Sequence, residues 1–115
     1  MYRQVNVENE DRNFQKILWR DNPSSPIKTY CLYTVTYGTA SASYLATRVV
    51  KQLAIDERSN FAKASEVLLH NCYIDDVLFG ADILKEAEKL IPELQKLLYS
   101  GGFKLHKLCS NEKSV

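Results

Sequence analysis

Apolar side chains recur every three to four residues along the middle of this chain. After Gly38 they have the spacing of one helix face: Ala42, Leu45, Ala46, Val49, Val50 and Leu53. The next run, SNFAKASEVLLH, offers Ser59 or Asn60 as an N-cap and ends near His70. These two patterns predict two successive helices.

A third and longer helical pattern lies in ADILKEAEKLIPELQKLLYSGG. Its apolar positions are Ile83, Ala87, Leu90, Ile91, Leu94, Leu97 and Leu98. Gly101 and Gly102 are expected to end the helix. Because Pro92 has no amide hydrogen, the helix should either kink there or restart with Pro92 in its first turn.

Strand patterns occur before, between and after these helices. YRQVNVENED alternates through Val5 and Val7, and two apolar runs around the loop RDNPSSP predict a hairpin. CYIDDVLFG and FKLHKL predict two further strands, and residues 109–115 form a polar tail that should fray. Interleaved helices and strands predict a layered α+β or α/β fold.

Composition limits the function classes only loosely. The chain has 115 residues, of which 45% are hydrophobic and 25% charged, which suits one small globular domain. A formal charge of +1 gives no overall attraction to nucleic acid. Three scattered cysteines, a polar start and no long apolar run predict an intracellular protein, cytoplasmic or nuclear, neither secreted nor membrane-bound.

Two adjacent aspartates stand between apolar neighbours in NCYIDDVLFGAD. On a regular strand, Asp75 and Asp76 would point to opposite faces. A tight turn after Ile74 would instead let both carboxylates reach a hard cation such as Mg²⁺. The structural alternative is an exposed Asp-Asp turn between two strands, since aspartate is common in turns.

Four ordered blocks give these aspartates a context: MYRQVNVENEDRNFQKILWR, TVTYGTASASYLATR, YIDDVLFGAD and GGFKLHKLCSN. Together they resemble the reverse transcriptase of Bel/Pao-type retrotransposons over nearly the whole chain, and YIDD is similar to the YxDD box of that family. The resemblance implies an α+β fold in which residues 1–115 form part of a polymerase palm. It further implies a small antiparallel sheet with a YIDD β-hairpin and two or three helices packed on one face.

The family copies template strands by two-metal phosphoryl transfer, so the resemblance implies Mg²⁺ or Mn²⁺ as cofactor. Asp75 would be the metal ligand used most directly, and Asp76 its neighbour nearer the primer terminus. A third aspartate belongs to a motif D-x-x-K-M-Y-R-Q, of which the chain has MYRQ, so it would lie about four residues before Met1. The chain is thus expected to begin inside the first catalytic motif, to lack the other polymerase subdomains and to bind metal weakly.

Nucleotide binding is implied for Tyr2, Tyr37 and Gly38. Tyr2 matches the aromatic residue that packs under the sugar of the incoming deoxynucleotide, and Gly38 a glycine that lets the backbone approach it. The structural alternatives are a tyrosine at a strand start and a glycine that ends a strand. Ser43 stands where the family pattern has proline, which is a departure at the start of the following helix.

Contacts to the template and primer are implied for Tyr73 and Arg48, and Lys107 matches a lysine that assists the departing pyrophosphate. Arg48 is alternatively a solvated helix arginine, and Lys107 an exposed lysine at a strand end. The intact enzyme would bind a nucleic-acid template-primer and deoxynucleotides. The competing functions are a catalytically silent relic of a retroelement with weak nucleic-acid or protein binding, and an unrelated α+β binding module.

Overall fold

The computed structural model describes residues 1–114 as an α+β fold with three helices and two small antiparallel sheets. The helices are α1 (Ala42–Asp56), α2 (Ala62–His70) and α3 (Leu84–Ser100). The strands are β1 (Lys16–Trp19), β2 (Lys28–Cys31), β3 (Cys72–Tyr73) and β4 (Asp76–Val77). The chain divides into two compact units, Met1–Ala46 and Thr47–Val115.

The first unit is built around the β1–β2 hairpin. The two strands are antiparallel and pair Lys16 with Cys31 and Trp19 with Lys28 at their ends. In the connecting loop, the Asn22 side chain accepts hydrogen bonds from the Ser24 amide and hydroxyl, at 3.1 and 2.6 Å, which is a common way to stabilise a turn. The hairpin predicted on either side of RDNPSSP is therefore confirmed.

The predicted strand around Val5 and Val7 is wrong. Tyr2–Gln4 is a 3-10 turn, and only an isolated bridge joins Asn6 to Thr34. The amide of Val7 donates to the Tyr33 carbonyl at 2.9 Å, and that of Val35 to the Val5 carbonyl at 2.9 Å. Two ladder bonds tie this segment to the unit, but the turn at its start leaves too few extended residues for a strand.

In the second unit, helices α2 and α3 pack against each other. Of the apolar positions predicted for α3, Leu90, Leu94, Leu97 and Leu98 are buried, whereas Ile83 is exposed. Ala64 and Leu68 are the buried apolar residues of α2. Pro92 lies inside α3, which runs through it from Leu84 to Ser100. The three helices predicted from apolar spacing are confirmed.

The start of α2 differs from the predicted N-cap, whereas α3 ends at the predicted glycines. The N-cap of α2 is Phe61 instead of Ser59 or Asn60. The Asn60 side-chain amide donates to Glu57 Oε2 at 2.9 Å. Glu93, from α3, accepts from the Ala64 amide at 3.3 Å and serves the orphan donor of α2. At the end of α3, Gly102 has a φ of 80°, and the Phe103 amide donates to the Leu98 carbonyl at 2.9 Å, as in a Schellman motif.

The predicted strand FKLHKL is also wrong, because residues 103–108 form no strand. Lys107 has a φ of 55°, in the left-handed region, which extended backbone does not use. Beyond it, the polar tail has no helix or strand up to Ser114, and Val115 lies outside the described residues.

Candidate functional site

The chain reverses between β3 and β4 with only Ile74 and Asp75 in the loop. The register pairs Cys72 with Val77 and Tyr73 with Asp76. Of the two loop residues only Ile74 has a positive φ, 50°, which is the pattern of a type II′ turn. The Leu78 amide donates to the Asn71 carbonyl at 3.0 Å and extends the pairing away from the tip.

Isoleucine is a poor residue for the first loop position of such a turn. Its branched Cβ crowds the backbone in the left-handed region, which costs about 1–2 kcal/mol and is why glycine is usual there. Backbone strain of this kind concentrates at functional sites, where the surroundings hold a residue in a conformation it would not otherwise adopt. Ile74 therefore marks this hairpin as a candidate site on grounds independent of its sequence motif.

Both carboxylates at the turn are exposed to solvent. Asp75 occupies the loop, and Asp76 is the first residue of β4, directly across from Tyr73. Within residues 1–114, neither carboxylate accepts a hydrogen bond or forms an ion pair. Their charge thus needs no buried cation to offset it, and both groups are available to a ligand.

The two aspartates supply only part of a metal site. Over the described chain, no group of three or more His, Cys, Asp or Glu side chains is arranged to hold a metal ion. Mg²⁺ is often bound through one or two carboxylates completed by phosphate and water. The pair fits that donor set, with the remaining ligands left to substrate and solvent.

Cys72 is the first residue of β3, and the charges of the hairpin affect the pKa of its thiol. Burial raises the pKa of Cys72 above its ordinary value; Lys51 opposes this rise, and Asp75 and Asp76 add to it. The Sγ atom is 3.9 Å from the Ile74 carbonyl oxygen. Cys31 and Cys109 are exposed, so Cys72 should be the slowest of the three to react as a thiolate.

Replacing Asp75 and Asp76 with asparagine is expected to lower the pKa of Cys72, because both charges disfavour the thiolate. In a Cys31→Ser, Cys109→Ser background, the rate of alkylation by iodoacetamide should then reach its midpoint at a lower pH. Lys51→Gln should move that midpoint in the opposite direction. Equal profiles for all three proteins would show that the thiol does not sense these charges.

Two of the predicted nucleotide-binding side chains lie together in the first unit. The rings of Tyr2 and Tyr37 have centroids 4.7 Å apart and are tilted by 53°. Tyr2 Oη and Ser43 Oγ are 3.0 Å apart and share a hydrogen bond. Gly38 follows Tyr37 with a φ of 83° and no atom near where a Cβ would be, so its backbone angle is what requires glycine.

Ser43 is the residue of this cluster that the sequence did not identify. It stood out only as a departure from proline, and proline has no side-chain hydroxyl to bond Tyr2. The sequence therefore marked position 43 as unusual, but the role of Ser43 became clear only from its contact with Tyr2, 41 positions away.

The remaining candidates belong to the second unit. Tyr73 is 73% exposed on β3, Arg48 is exposed on α1, and Lys107 is exposed at its left-handed position. Arg48 and Lys107 form no ion pair with any residue that the structure describes. Tyr73 is thus part of the same hairpin as Asp75 and Asp76, directly across from Asp76.

A groove of about 480 Å³ runs along α3 and the segment that follows it. Pro92, Lys96, Tyr99 and Phe103 are among its lining residues, and none of the candidate site residues is. This groove is thus separate from the predicted site residues.

No protein family, curated protein or solved structure matches the chain. Between residues 1 and 114, no helix has the length and apolar run needed to cross a membrane.

Proposed function

We propose that this chain is the palm segment of a template-directed DNA polymerase of the reverse transcriptase kind, similar to those of Bel/Pao-type retrotransposons. The observation that carries the proposal is the strained two-residue turn at Ile74, with two exposed and unpaired carboxylates beside it. The four sequence blocks that resemble this family support it from a second direction.

The turn gives the two aspartates distinct roles. Asp75, exposed in the loop, is the principal metal ligand, and Asp76, in β4, contributes beside it. When bound, Mg²⁺ supplies the positive charge that activates a primer hydroxyl and stabilises a leaving pyrophosphate. The strand pairing limits the motion of the Asp76 backbone, which lowers the cost of ordering this residue around a cation.

Other side chains take the roles that the resemblance implies. Tyr2 and Tyr37 bind the incoming deoxynucleotide, and their ring contact and the Ser43 hydroxyl keep Tyr2 in one orientation. Tyr73 and Arg48 contact template and primer, and the Lys107 ammonium neutralises charge on the departing pyrophosphate. The partners of the complete enzyme are a nucleic-acid template-primer and deoxynucleotides.

A second function is a catalytically silent relic of such an enzyme. It is favoured by one observation: no third carboxylate joins Asp75 and Asp76 among the residues described. A relic would keep the hairpin and lose cation binding, whereas a polymerase segment retains weak binding at the pair.

Binding of Mn²⁺ separates these two functions. We expect Mn²⁺ to broaden the amide NMR signals of Tyr73 to Val77 selectively, with weak affinity because only two carboxylates contribute. Asp75→Asn should remove most of the broadening. Asp82→Asn, which deletes an exposed carboxylate near the hairpin in sequence, should leave it unchanged.

Equal broadening in the native chain and Asp75→Asn would contradict the assignment of Asp75 as a ligand. Broadening spread over all exposed acids, without preference for the hairpin, would favour the silent relic.

A further inference from the structure

The β1–β2 hairpin carries two exposed aromatic rings on one face. Ile17 pairs with Tyr30 and Trp19 with Lys28, so these four side chains point to the same side of the ribbon. We call this side the aromatic face. Trp19 is 58% exposed and Tyr30 43% exposed. Aromatic rings of this size contribute strongly to the free energy of folding or binding when they are buried.

Positive charge accompanies the rings. The segment from Lys16 to Cys31 contains three cations, Lys16, Arg20 and Lys28, and one acid, Asp21. In the part of the chain that the structure covers, none of the three cations forms an ion pair. The ribbon thus has a local excess of positive charge that the net charge of +1 conceals.

The single acid is positioned where it leaves the rings accessible. The indole N–H of Trp19 donates to Asp21 Oδ1 at 3.3 Å. This N–H lies in the plane of the ring, so the bond holds the ring edge and leaves its π-face uncovered. The indole donor is satisfied as well, which removes a polar group that would otherwise oppose stacking.

From these features we infer that the aromatic face binds single-stranded nucleic acid. Bases stack on Trp19 and Tyr30, and the ammonium of Lys28, directly across from Trp19, neutralises backbone phosphate. A protein partner fits less well, because lysine is depleted at the centre of protein interfaces. Such a partner would also bury the Lys28 ammonium, which has no carboxylate partner among the residues that the structure describes. This inference deepens the proposed polymerase function by assigning a further surface to its nucleic-acid partner, but its evidence is the β1–β2 hairpin and it uses no group of the aspartate hairpin.

The test uses the intact chain and a fluorescein-labelled 12-nucleotide oligothymidylate. Trp19 is the only tryptophan, so quenching of its fluorescence on addition of unlabelled oligonucleotide reports contact at this face directly. By fluorescence anisotropy, Trp19→Ala and Tyr30→Ala should each weaken binding at least about fivefold. Lys28→Gln should reduce the slope of log affinity against log salt by about 0.7.

Matched controls lie on the opposite face of the same ribbon. Leu18 pairs with Thr29 and Lys16 with Cys31, so Leu18→Ala and Lys16→Gln should change binding less than Trp19→Ala and Lys28→Gln do. Circular dichroism of each variant checks that the fold is retained, and the quenching measurement needs no variant.

Four results would overturn the inference. One is the absence of quenching, and another is an equal loss of binding from substitutions on the two faces. The third is a concentration-dependent shift of Trp19 emission without oligonucleotide, which would make the face an interface between two copies of the chain. If Asp75→Asn with Asp76→Asn abolishes binding while Trp19→Ala does not, the strand lies at the hairpin, which overturns this inference and leaves the polymerase proposal intact.

Discussion

Replacing Leu94 with alanine is expected to lower the free energy of unfolding by about 3 kcal/mol. Leu94 lies in α3 and is fully buried in the second unit. Truncating it removes a methine and two methyl carbons from the core and leaves a cavity that the packed helices fill only in part. Because small domains are stable by roughly 5–15 kcal/mol, this is a large share of the total.

Urea denaturation followed by circular dichroism at the helical band measures this change. Leu84→Ala, at the first residue of the same helix, is the matched control, since Leu84 is 43% exposed. Its loss should stay below about 1 kcal/mol. Equal losses at the two positions would show that α3 is not anchored through Leu94.

The purified chain is expected to extend no primer, even though it carries the YIDD hairpin. Two-metal catalysis needs both cations held firmly while charge develops on the attacking and leaving oxygens, and the described residues gather no third acidic ligand. The assay follows a labelled DNA primer on an RNA template with all four deoxynucleotides and either Mg²⁺ or Mn²⁺. Asp75→Asn serves as the control for contaminating polymerase.

Incorporation that disappears in Asp75→Asn would show that the two aspartates suffice for catalysis.

The helices were predictable because their signal is local. An apolar residue every three to four positions predicts a helix with one apolar face, whatever that face packs against. The detail differed in α1, where Leu45 and Val49 are 38% and 37% exposed and the buried residues are Ala42, Ala46, Val50 and Ala54. Which side of an amphipathic helix is covered depends on its neighbours, and these do not appear in a single sequence.

The two wrong strands have the opposite explanation. Alternation around Val5 and Val7, and in FKLHKL, describes side chains that would suit a strand, but a strand also needs a partner along its length. The first segment finds that partner only at Asn6 and Thr34, and the second is interrupted by the left-handed Lys107. Neither condition can be derived from short apolar patterns.

Part of the candidate site was likewise predictable. The aspartate pair, the tyrosines and Gly38 follow from sequence blocks, whereas the positive φ of Ile74 contradicts the preference of isoleucine and could not be inferred from it. The Tyr2–Ser43 bond joins distant parts of the chain, so it too required the fold.

The hairpin of the first unit also affects how readily the chain aggregates. Since β1 and β2 form a sheet of only two strands, each strand has one edge without a neighbour in that sheet, and exposed apolar edges invite pairing with another chain. Lys16 and Arg20 flank the apolar residues of β1, and Lys28 begins β2, which are the positions where charged gatekeepers oppose aggregation. All three cations repel a second ribbon, and Lys28 does so by the same charge that attracts a phosphate backbone, so solubility and strand recognition both depend on this side chain.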